Sequence, residues 1–102
     1  MKRYHVELSP DALAQAAVAA VWWQEHRSQA PDLFRVELYA AIERLATMPR
    51  SGRAYERSDV PGMHRMIMPR TRYHLYYTIL EERSMVRIHA IWHSARGGTP
   101  GI

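Results

Sequence analysis

The segment Arg72–Leu80, RYHLYYTIL, decides the fold, and it has the composition of a β-strand. Aromatic and β-branched residues are dense in it, and neither glycine nor proline interrupts it. Since alternate residues of a strand point to opposite faces, the pattern predicts two faces of different character. The predicted apolar face holds Tyr73, Leu75, Tyr77 and Ile79, and the polar face holds Arg72, His74, Tyr76 and Thr78.

The next segment, Met85–His93 (MVRIHAIWH), divides in the same way. Strict alternation places Val86, Ile88, Ala90 and Trp92 on one face and Arg87, His89, Ile91 and His93 on the other. The four residues from Glu81 to Ser84 are polar and fit a hairpin connection. A hairpin joins the two apolar faces, which need a cover, and also joins the two Arg/His faces.

Two helices precede these strands. Arg3–Leu8 alternates like a short strand, and Ser9-Pro10-Asp11 is a helix-start signal, which predicts a helix from Pro10 to about His26. Trp22 and Trp23 end this helix, and adjacent helix positions cannot both point inward, so one of them is a candidate for a partner-binding surface.

A break at residues 28–31 separates the first helix from a second one, which is predicted from Asp32 to about Thr47. Its buried stripe is marked by apolar residues at helical spacing, and polar residues off that stripe, Glu37 among them, are expected to be solvated. Met48-Pro49 ends it. The two helices form a predicted antiparallel hairpin.

The remaining elements are a loop and a third late strand. Pro49–Gly62 is predicted as a loop whose arginines either bind phosphate or a partner's carboxylates or are simply solvated, and Met63–Met68 is predicted as a short strand. The order β-α-α-β-β-β predicts an α+β fold, with the helix hairpin packed on one face of a small, mainly antiparallel sheet. We expect one domain over residues 1–102, with a flexible tail from about 97 to 102.

Composition limits the chemistry. The chain has 14 Lys and Arg, 13 of them arginine, against 10 Asp and Glu, for a net charge of +4. Arginine is suited to phosphate and carboxylate, so a nucleic-acid substrate and an acidic protein partner are both in view, beside a surface that is merely basic. The absence of cysteine excludes disulfides, thiolate metal sites and a cysteine nucleophile.

The sequence predicts neither a cofactor nor a metal site. His89 and His93 are four residues apart on a strand, or roughly 13 Å, which is too far for two ligands of one ion. The N-terminus lacks the apolar stretch of a secretion signal, and Ala12–Trp23 is too short to span a membrane. We therefore expect a cytoplasmic protein with no membrane partner.

The predicted polar sheet face combines residue types that suit phosphodiester chemistry. RNA cleavage needs a base, an acid and positive charge on the non-bridging oxygens. His74 and His89 titrate near neutral pH, Arg65, Arg72 or Arg87 would hold phosphate, and Tyr76 would stack on a base or donate a proton. The same residues are also common as solvated surface, and the argument rests on their clustering.

The ordered set of elements resembles the RelE/ParE superfamily, the toxins of type II toxin–antitoxin modules. The resemblance runs from the LSPDAL helix start through LATMPRSGR, GMHRMIM and RYHLYY to IWHSARG. The last string is the most specific, because ParE-like members typically end in a Leu-His-Gly-Ala-Arg-like string. It implies a compact α+β toxin, with a role in plasmid stabilisation, that is neutralised by a cognate antitoxin partner.

The resemblance implies one of two targets and leaves open whether the chain is an enzyme. ParE-like toxins poison DNA gyrase, and the HSAR ending favours this reading, with His93, Arg96, Tyr76 and His89 as target-binding residues. RelE-like toxins cut mRNA on the ribosome; in that case the catalytic set would be Arg65 and Arg72 on phosphate, with His74 or His93 moving protons. Ser94 stands where such nucleases tend to place a tyrosine. A third reading is a non-toxic interaction module that only binds an antitoxin.

Overall fold

The computed structural model describes residues 2–98 and 100–102. Within them, two helices cover one face of a five-stranded sheet. The elements in chain order are β1 (His5–Leu8), α1 (Pro10–His26), α2 (Leu33–Thr47), β2 (Arg53–Ala54), β3 (His64–Ile67), β4 (Tyr73–Leu80) and β5 (Met85–His93). This arrangement confirms the predicted α+β class.

The sheet order is β1-β5-β4-β3-β2. Strand β1 pairs with β5 in parallel, and the other neighbours are antiparallel. Strand β2 was not predicted, because it is two residues long and lies inside the segment predicted as loop. It pairs Arg53 with Arg65 and Ala54 with His64 at the edge of the sheet.

Helix α1 has the predicted bounds. The Ser9 side chain accepts a hydrogen bond from the Ala12 amide at 3.1 Å, and Pro10 occupies the first turn, where a missing N–H costs nothing. The two tryptophans divide as adjacent helix positions require. Trp23 is buried in the core, and Trp22 is 39% exposed.

The main core lies between the helices and the sheet. It is built from small α1 residues and from Phe34 and Leu45 of α2, which pack on Leu75, Tyr77, Val86 and Ile88 of the sheet. Phe34 meets Tyr73 edge-on, with ring centroids 4.9 Å apart. The predicted apolar face of β4 is therefore the face that the helices cover.

The predicted alternation of β5 is wrong beyond Ile88, because the strand carries a bulge. Tyr76 pairs with Ala90 and Tyr77 pairs with Ile88, so His89 is the extra residue. One extra residue exchanges the faces of everything that follows it.

Four predicted positions on β5 change side as a result. Ile91 joins the helix-side core, whereas Ala90 and Trp92 lie on the open face beside Tyr76. His93, predicted on the open face, packs against Tyr73 on the helix side, with centroids 4.9 Å apart.

Side chains of α1 satisfy the backbone next to this bulge. The Ser9 hydroxyl donates to the His89 carbonyl at 3.1 Å, and the Gln15 amide oxygen accepts from the Ile91 N–H at 2.7 Å. A bulge leaves backbone groups without ladder partners, and burying them unpaired is costly. Helix α1 therefore stabilises the bulge and holds it at this place in β5.

Two predictions around the β3–β4 connection are also wrong. Glu37, expected to be solvated, accepts hydrogen bonds from the Arg70 and Thr71 amides and from the Thr71 hydroxyl. Arg72, expected as the first residue of the strand, precedes it and has φ +69°, a conformation rare for residues other than glycine.

The C-terminal residues lie near the open face. Ile102 packs against a second, smaller cluster of Met63, Tyr76 and Ala90. Thr99, part of the tail predicted to be flexible, lies outside the described residues, and that flexibility stays a prediction. In the part of the chain that is described, no helix has both the length and the apolarity needed to cross a membrane.

Candidate functional site

The open face of the sheet gathers most of the predicted basic and aromatic residues. Arg65 lies opposite Tyr76, and His74 lies between Ile67 and Trp92 on its two neighbouring strands. The Arg65 guanidinium stands 5.2 Å from the ring centroid of Tyr55, which itself meets Tyr76 edge-on. Tyr76 is only 2% exposed, so it supports this surface from beneath.

His74 lies among positive charges. Partial burial lowers its pKa, and the charges of Arg65, Arg72 and His93 lower it further. Of the four residues predicted for a nuclease, Arg65 and His74 lie on the open face, and Arg72 directly precedes β4, with its charge near enough to act on His74. The neutral imidazole is the favoured form there, which suits a base or a hydrogen-bonding group.

His93 is close enough to influence His74 but lies on the other side of the sheet. Its Nδ1 accepts a hydrogen bond from the Ala95 amide at 3.0 Å, so the ring proton of its neutral form is on Nε2. Strand alternation after the bulge places His93 and His74, which the sequence offered as alternative proton-transfer groups on one face, on opposite faces of the sheet. One imidazole therefore faces each side of the sheet.

His89 already has a partner. Its Nε2 is 2.8 Å from the Thr78 hydroxyl, and burial followed by the charge of Arg87 lowers its pKa. Arg87 in turn forms an ion pair with Glu7, at 3.4 Å. These groups stabilise the bulged part of β5 and lie toward the β1 side of the sheet, away from Arg65.

The turn from His93 to Arg96 closes the far end of β5. The Ser94 amide donates to the Arg72 carbonyl at 2.8 Å, which ties this turn to the β3–β4 connection. The Arg96 guanidinium lies over Trp92, 3.8 Å from the ring centroid. The indole nitrogen of Trp92 is buried with no acceptor among the described residues. The turn therefore presents a charged group and an aromatic ring together.

A groove of about 530 Å³ runs between α1 and the same end of β4 and β5. Apolar side chains form its floor, and Arg27, His93 and Arg96 line it as well. Trp22 stacks on His26, with centroids 4.6 Å apart, and the Arg27 guanidinium lies 4.7 Å from the centroid of the same indole. None of the described residues that line this groove is acidic.

A second groove, of about 860 Å³, lies between α2 and the β2–β3 edge. Its basic lining consists of Arg44, Arg53, Arg65 and His74, and Glu37 is the one carboxylate among the described lining residues. Arg50, from the predicted basic loop, forms an ion pair with Glu81 at 2.7 Å, so its guanidinium already has a carboxylate partner.

Metal chemistry finds no support in the described part of the chain. Over residues 2–98 and 100–102, no three His, Asp or Glu side chains come close enough to hold one ion. The arrangement can bind anions through arginine, stack flat groups on aromatic rings and accept or donate protons at His74.

Comparison with protein families decides the identity of this fold. The model of the ParE toxin of type II toxin–antitoxin systems (parDE) matches residues 6–97. The chain belongs to this family. The match confirms the resemblance found in the sequence, and it covers every strand except the first residue of β1.

Solved structures of toxin–antitoxin systems share the fold at low sequence identity. The RelBE2 toxin–antitoxin complex from Mycobacterium tuberculosis has a TM-score of 0.67 at 22% identity, covering 94% of this chain and 97% of the other. The chromosomal ParDE system of P. aeruginosa has a TM-score of 0.69 at 13% identity, covering 89% and 96%.

The intact E. coli RelBE complex has a TM-score of 0.55 at 16% identity, covering 91% of this chain and 99% of the other. A comparison with curated proteins gives no significant match. The solved relatives include both ParE and RelE toxins, so the shared fold does not separate the two kinds of target.

Proposed function

We propose that this ParE-family toxin acts as a gyrase poison that binds its target through the His93–Arg96 turn. The observation that carries the proposal is the position of Arg96, which is exposed, lies over Trp92 and stands at the end of β5 where the family resemblance is most specific. A guanidinium on an aromatic ring is a strong recognition element for carboxylate and for flat groups.

The separation of the histidines supports a binding role over a catalytic one. A nuclease needs an acid and a base that both reach the same scissile phosphate, one at the attacking oxygen and the other at the leaving oxygen. In this chain His93 packs with Tyr73 on the helix side, His74 lies on the open face, and His89 is hydrogen-bonded to Thr78. Among the described residues, His74 is therefore the one unengaged imidazole that faces the basic cluster.

The test compares two target assays on the same protein. Purified toxin is added to gyrase supercoiling and cleavage reactions, and cellular mRNA is examined by primer extension after induction without antitoxin. We expect inhibited supercoiling or trapped cleaved DNA, together with intact mRNA. Codon-positioned cuts that depend on translation would overturn the proposal.

The second candidate function is a ribosome-dependent mRNA endonuclease. The closeness of Arg65, Arg72 and His74 favours it, because two cations beside a neutral imidazole supply phosphate binding and a base for proton transfer. Combined Arg65→Gln and His74→Asn substitutions would then abolish mRNA cutting in a folded protein. Unchanged cutting by that variant would remove this site.

The partner that the toxin–antitoxin relatives imply is a cognate antitoxin. Its docking place, by this proposal, is the groove beside α1, where an apolar floor is rimmed by Arg27, His93 and Arg96. An amphipathic acidic segment matches that combination of apolar surface and positive charge. The binding should weaken only in part with salt, because apolar anchors carry much of the energy. Complete dissociation at moderate salt would contradict this mode.

The third reading, an interaction module without toxicity, is tested by expressing the protein alone. Expression in the absence of antitoxin would leave growth unaffected, while the antitoxin would still bind. Growth arrest under the same conditions removes it.

A further inference from the structure

Glu37 connects α2 to the turn between β3 and β4. Its two carboxylate oxygens accept from the Arg70 amide at 2.7 Å, the Thr71 amide at 2.8 Å and the Thr71 hydroxyl at 2.6 Å. Thr71 is 1% exposed and is the one fully buried polar residue among those described. The carboxylate thus satisfies three donors that the turn would otherwise leave without partners.

The charge and shape of the carboxylate both matter for this contact. Hydrogen bonds to an ionised acceptor are shorter and stronger than neutral ones. A glutamine keeps one acceptor oxygen but places an NH₂ donor where the other oxygen meets an N–H, so it cannot satisfy all three donors. The turn is therefore matched to a carboxylate at position 37.

The residues that follow the turn belong to the candidate site. Arg72 has φ +69°, its amide donates to Met68 O at 2.8 Å, and its carbonyl accepts from the Ser94 amide. A non-glycine residue holds that backbone conformation only where its surroundings fix it. The contact at Arg70 and Thr71 ends one residue before this strained position and three residues before His74.

Helix packing alone would not supply this restraint. Phe34, Ala41 and Leu45 already hold α2 on the sheet through the apolar core. Glu37 adds nothing to that core and acts on the backbone of the turn, at the wall of the groove that also contains Arg65 and His74. The hydrogen bonds of Glu37 therefore fix the position of the turn and do not contribute to the packing of the helix.

We propose that Glu37 is a positioning residue, which sets Arg72 and His74 for target binding by fixing the backbone of the β3–β4 turn. This rests on the proposed function only in that a target is bound at this end of the sheet. If Glu37 has this positioning role, loss of its carboxylate moves Arg72 away from His74 and Arg65 and leaves the helix-side core in place.

The test uses Glu37→Gln and Thr71→Val in the full chain, with Glu43→Gln as the matched control. Glu43 is on the same helix and forms an exposed ion pair with Arg3, so its loss removes the same charge without touching the turn. We measure amide exchange at Arg70 and Thr71, the NMR titration of His74, gyrase inhibition, antitoxin affinity and the affinity for a single-stranded RNA oligomer.

For Glu37→Gln we expect amide exchange at the turn to accelerate by about tenfold or more, as the loss of a charged hydrogen-bond acceptor implies. The pKa of His74 should rise toward its ordinary value as Arg72 withdraws. Gyrase inhibition should weaken several-fold, with antitoxin affinity unchanged. Thr71→Val should give a smaller change in the same direction, and Glu43→Gln none.

Two results would overturn the assignment. One is unchanged amide exchange and an unchanged His74 titration in Glu37→Gln. The other is stronger binding of a single-stranded RNA oligomer together with undiminished target action, as expected if Glu37 only tempers the positive charge of the groove. If the wild-type protein leaves gyrase untouched, the gyrase proposal fails, whereas the exchange and titration results still decide the role of Glu37.

Discussion

The guanidinium of Arg96 and the indole of Trp92 are stacked, with the guanidinium carbon 3.8 Å from the ring centroid. Trp92 belongs to the open face of the sheet, whereas Arg96 also lines the groove beside α1. The pair therefore joins two surfaces that the sheet otherwise keeps apart. A partner in the groove and a target at the turn would compete for one guanidinium, which gives the antitoxin a direct way to neutralise the toxin.

Replacing Arg96 by glutamine should weaken target binding with little effect on folding. The side chain is exposed, and a cation–π contact of this kind contributes about 0.5–2 kcal/mol. We expect gyrase inhibition to fall about tenfold and the free energy of unfolding to change by less than about 1 kcal/mol. Dose–response curves of supercoiling and urea unfolding measure the two effects.

Arg96→Lys is the control for charge, because lysine keeps the positive charge and loses the planar group. Full potency in Arg96→Gln would contradict the proposed contact. A point substitution is a cleaner test than removing everything from Ser94 onward, since that deletion also removes Ile102 from its packing against Met63 and Tyr76.

The two adjacent tryptophans of α1 should behave in opposite ways. Trp22→Ala removes an exposed ring from the groove and should lower antitoxin affinity at least about tenfold, as for an aromatic anchor, with stability unchanged within about 0.5 kcal/mol. Trp23→Ala should cost about 3–5 kcal/mol of unfolding free energy, because its ring is in the core. Calorimetric binding and thermal unfolding separate them; unaltered antitoxin affinity in Trp22→Ala would rule out this groove as the docking place.

Gly52 tolerates no side chain, for a steric reason. A Cβ there would lie 2.5 Å from the Tyr77 hydroxyl and 2.7 Å from the Arg65 carbonyl, and the Gly52 amide donates to that hydroxyl at 3.0 Å. Gly52→Ala should destabilise the protein by about 1–3 kcal/mol, as overpacking does.

Gly97→Ala is the matched control, since a Cβ at that position meets nothing within 4 Å. Chemical unfolding of both variants measures the difference. Equal free energies of unfolding for Gly52→Ala and Gly97→Ala would show that β2 can move away from the sheet without destabilising the protein.

Stability should fall as the pH drops below about 6.5. The pKa values of His74 and His89 are both lowered in the folded protein, by burial first and by neighbouring arginines second. The unfolded chain then binds protons more readily than the folded one below the ordinary imidazole pKa. The stabilisation is complete above that value and is lost as the pH falls through the folded pKa values.

Urea unfolding between pH 7.5 and pH 5 measures this slope. His74→Asn and His89→Asn should each flatten it, and the double variant should flatten it most. His5→Asn is the control, because that side chain is exposed on β1. A slope unchanged in the double variant would assign the pH dependence to other groups.

Local signals in the sequence predicted most of the fold. Helix α1 carries its own start signal at Ser9 and Pro10, and strand β4 carries its own alternation, so both were predicted within a residue of their bounds. The edge strand β2 was missed because two residues hold no periodicity.

The candidate site was predicted less well, because it depends on the bulge at His89. Strict alternation gives no sign of an inserted residue, and the groups that stabilise the bulge, Ser9 and Gln15, are about 75–80 positions away in the chain. Glu37 was missed for a similar reason, since its donors are backbone amides 33 and 34 positions further on. Such contacts leave no trace in local pattern.

The parallel pairing of β1 with β5 has a consequence for how the protein is made. His5 is in register with Met85, so the first strand finds its sheet partner only after about 80 further residues have been made. Contacts so distant in sequence form late and slow folding. A growing chain emerging from the ribosome cannot complete the sheet or position the turn that holds Arg96 before β5 and that turn have been made, so the toxin should be harmless until then. An antitoxin already present would then meet the toxin at the moment its fold is completed.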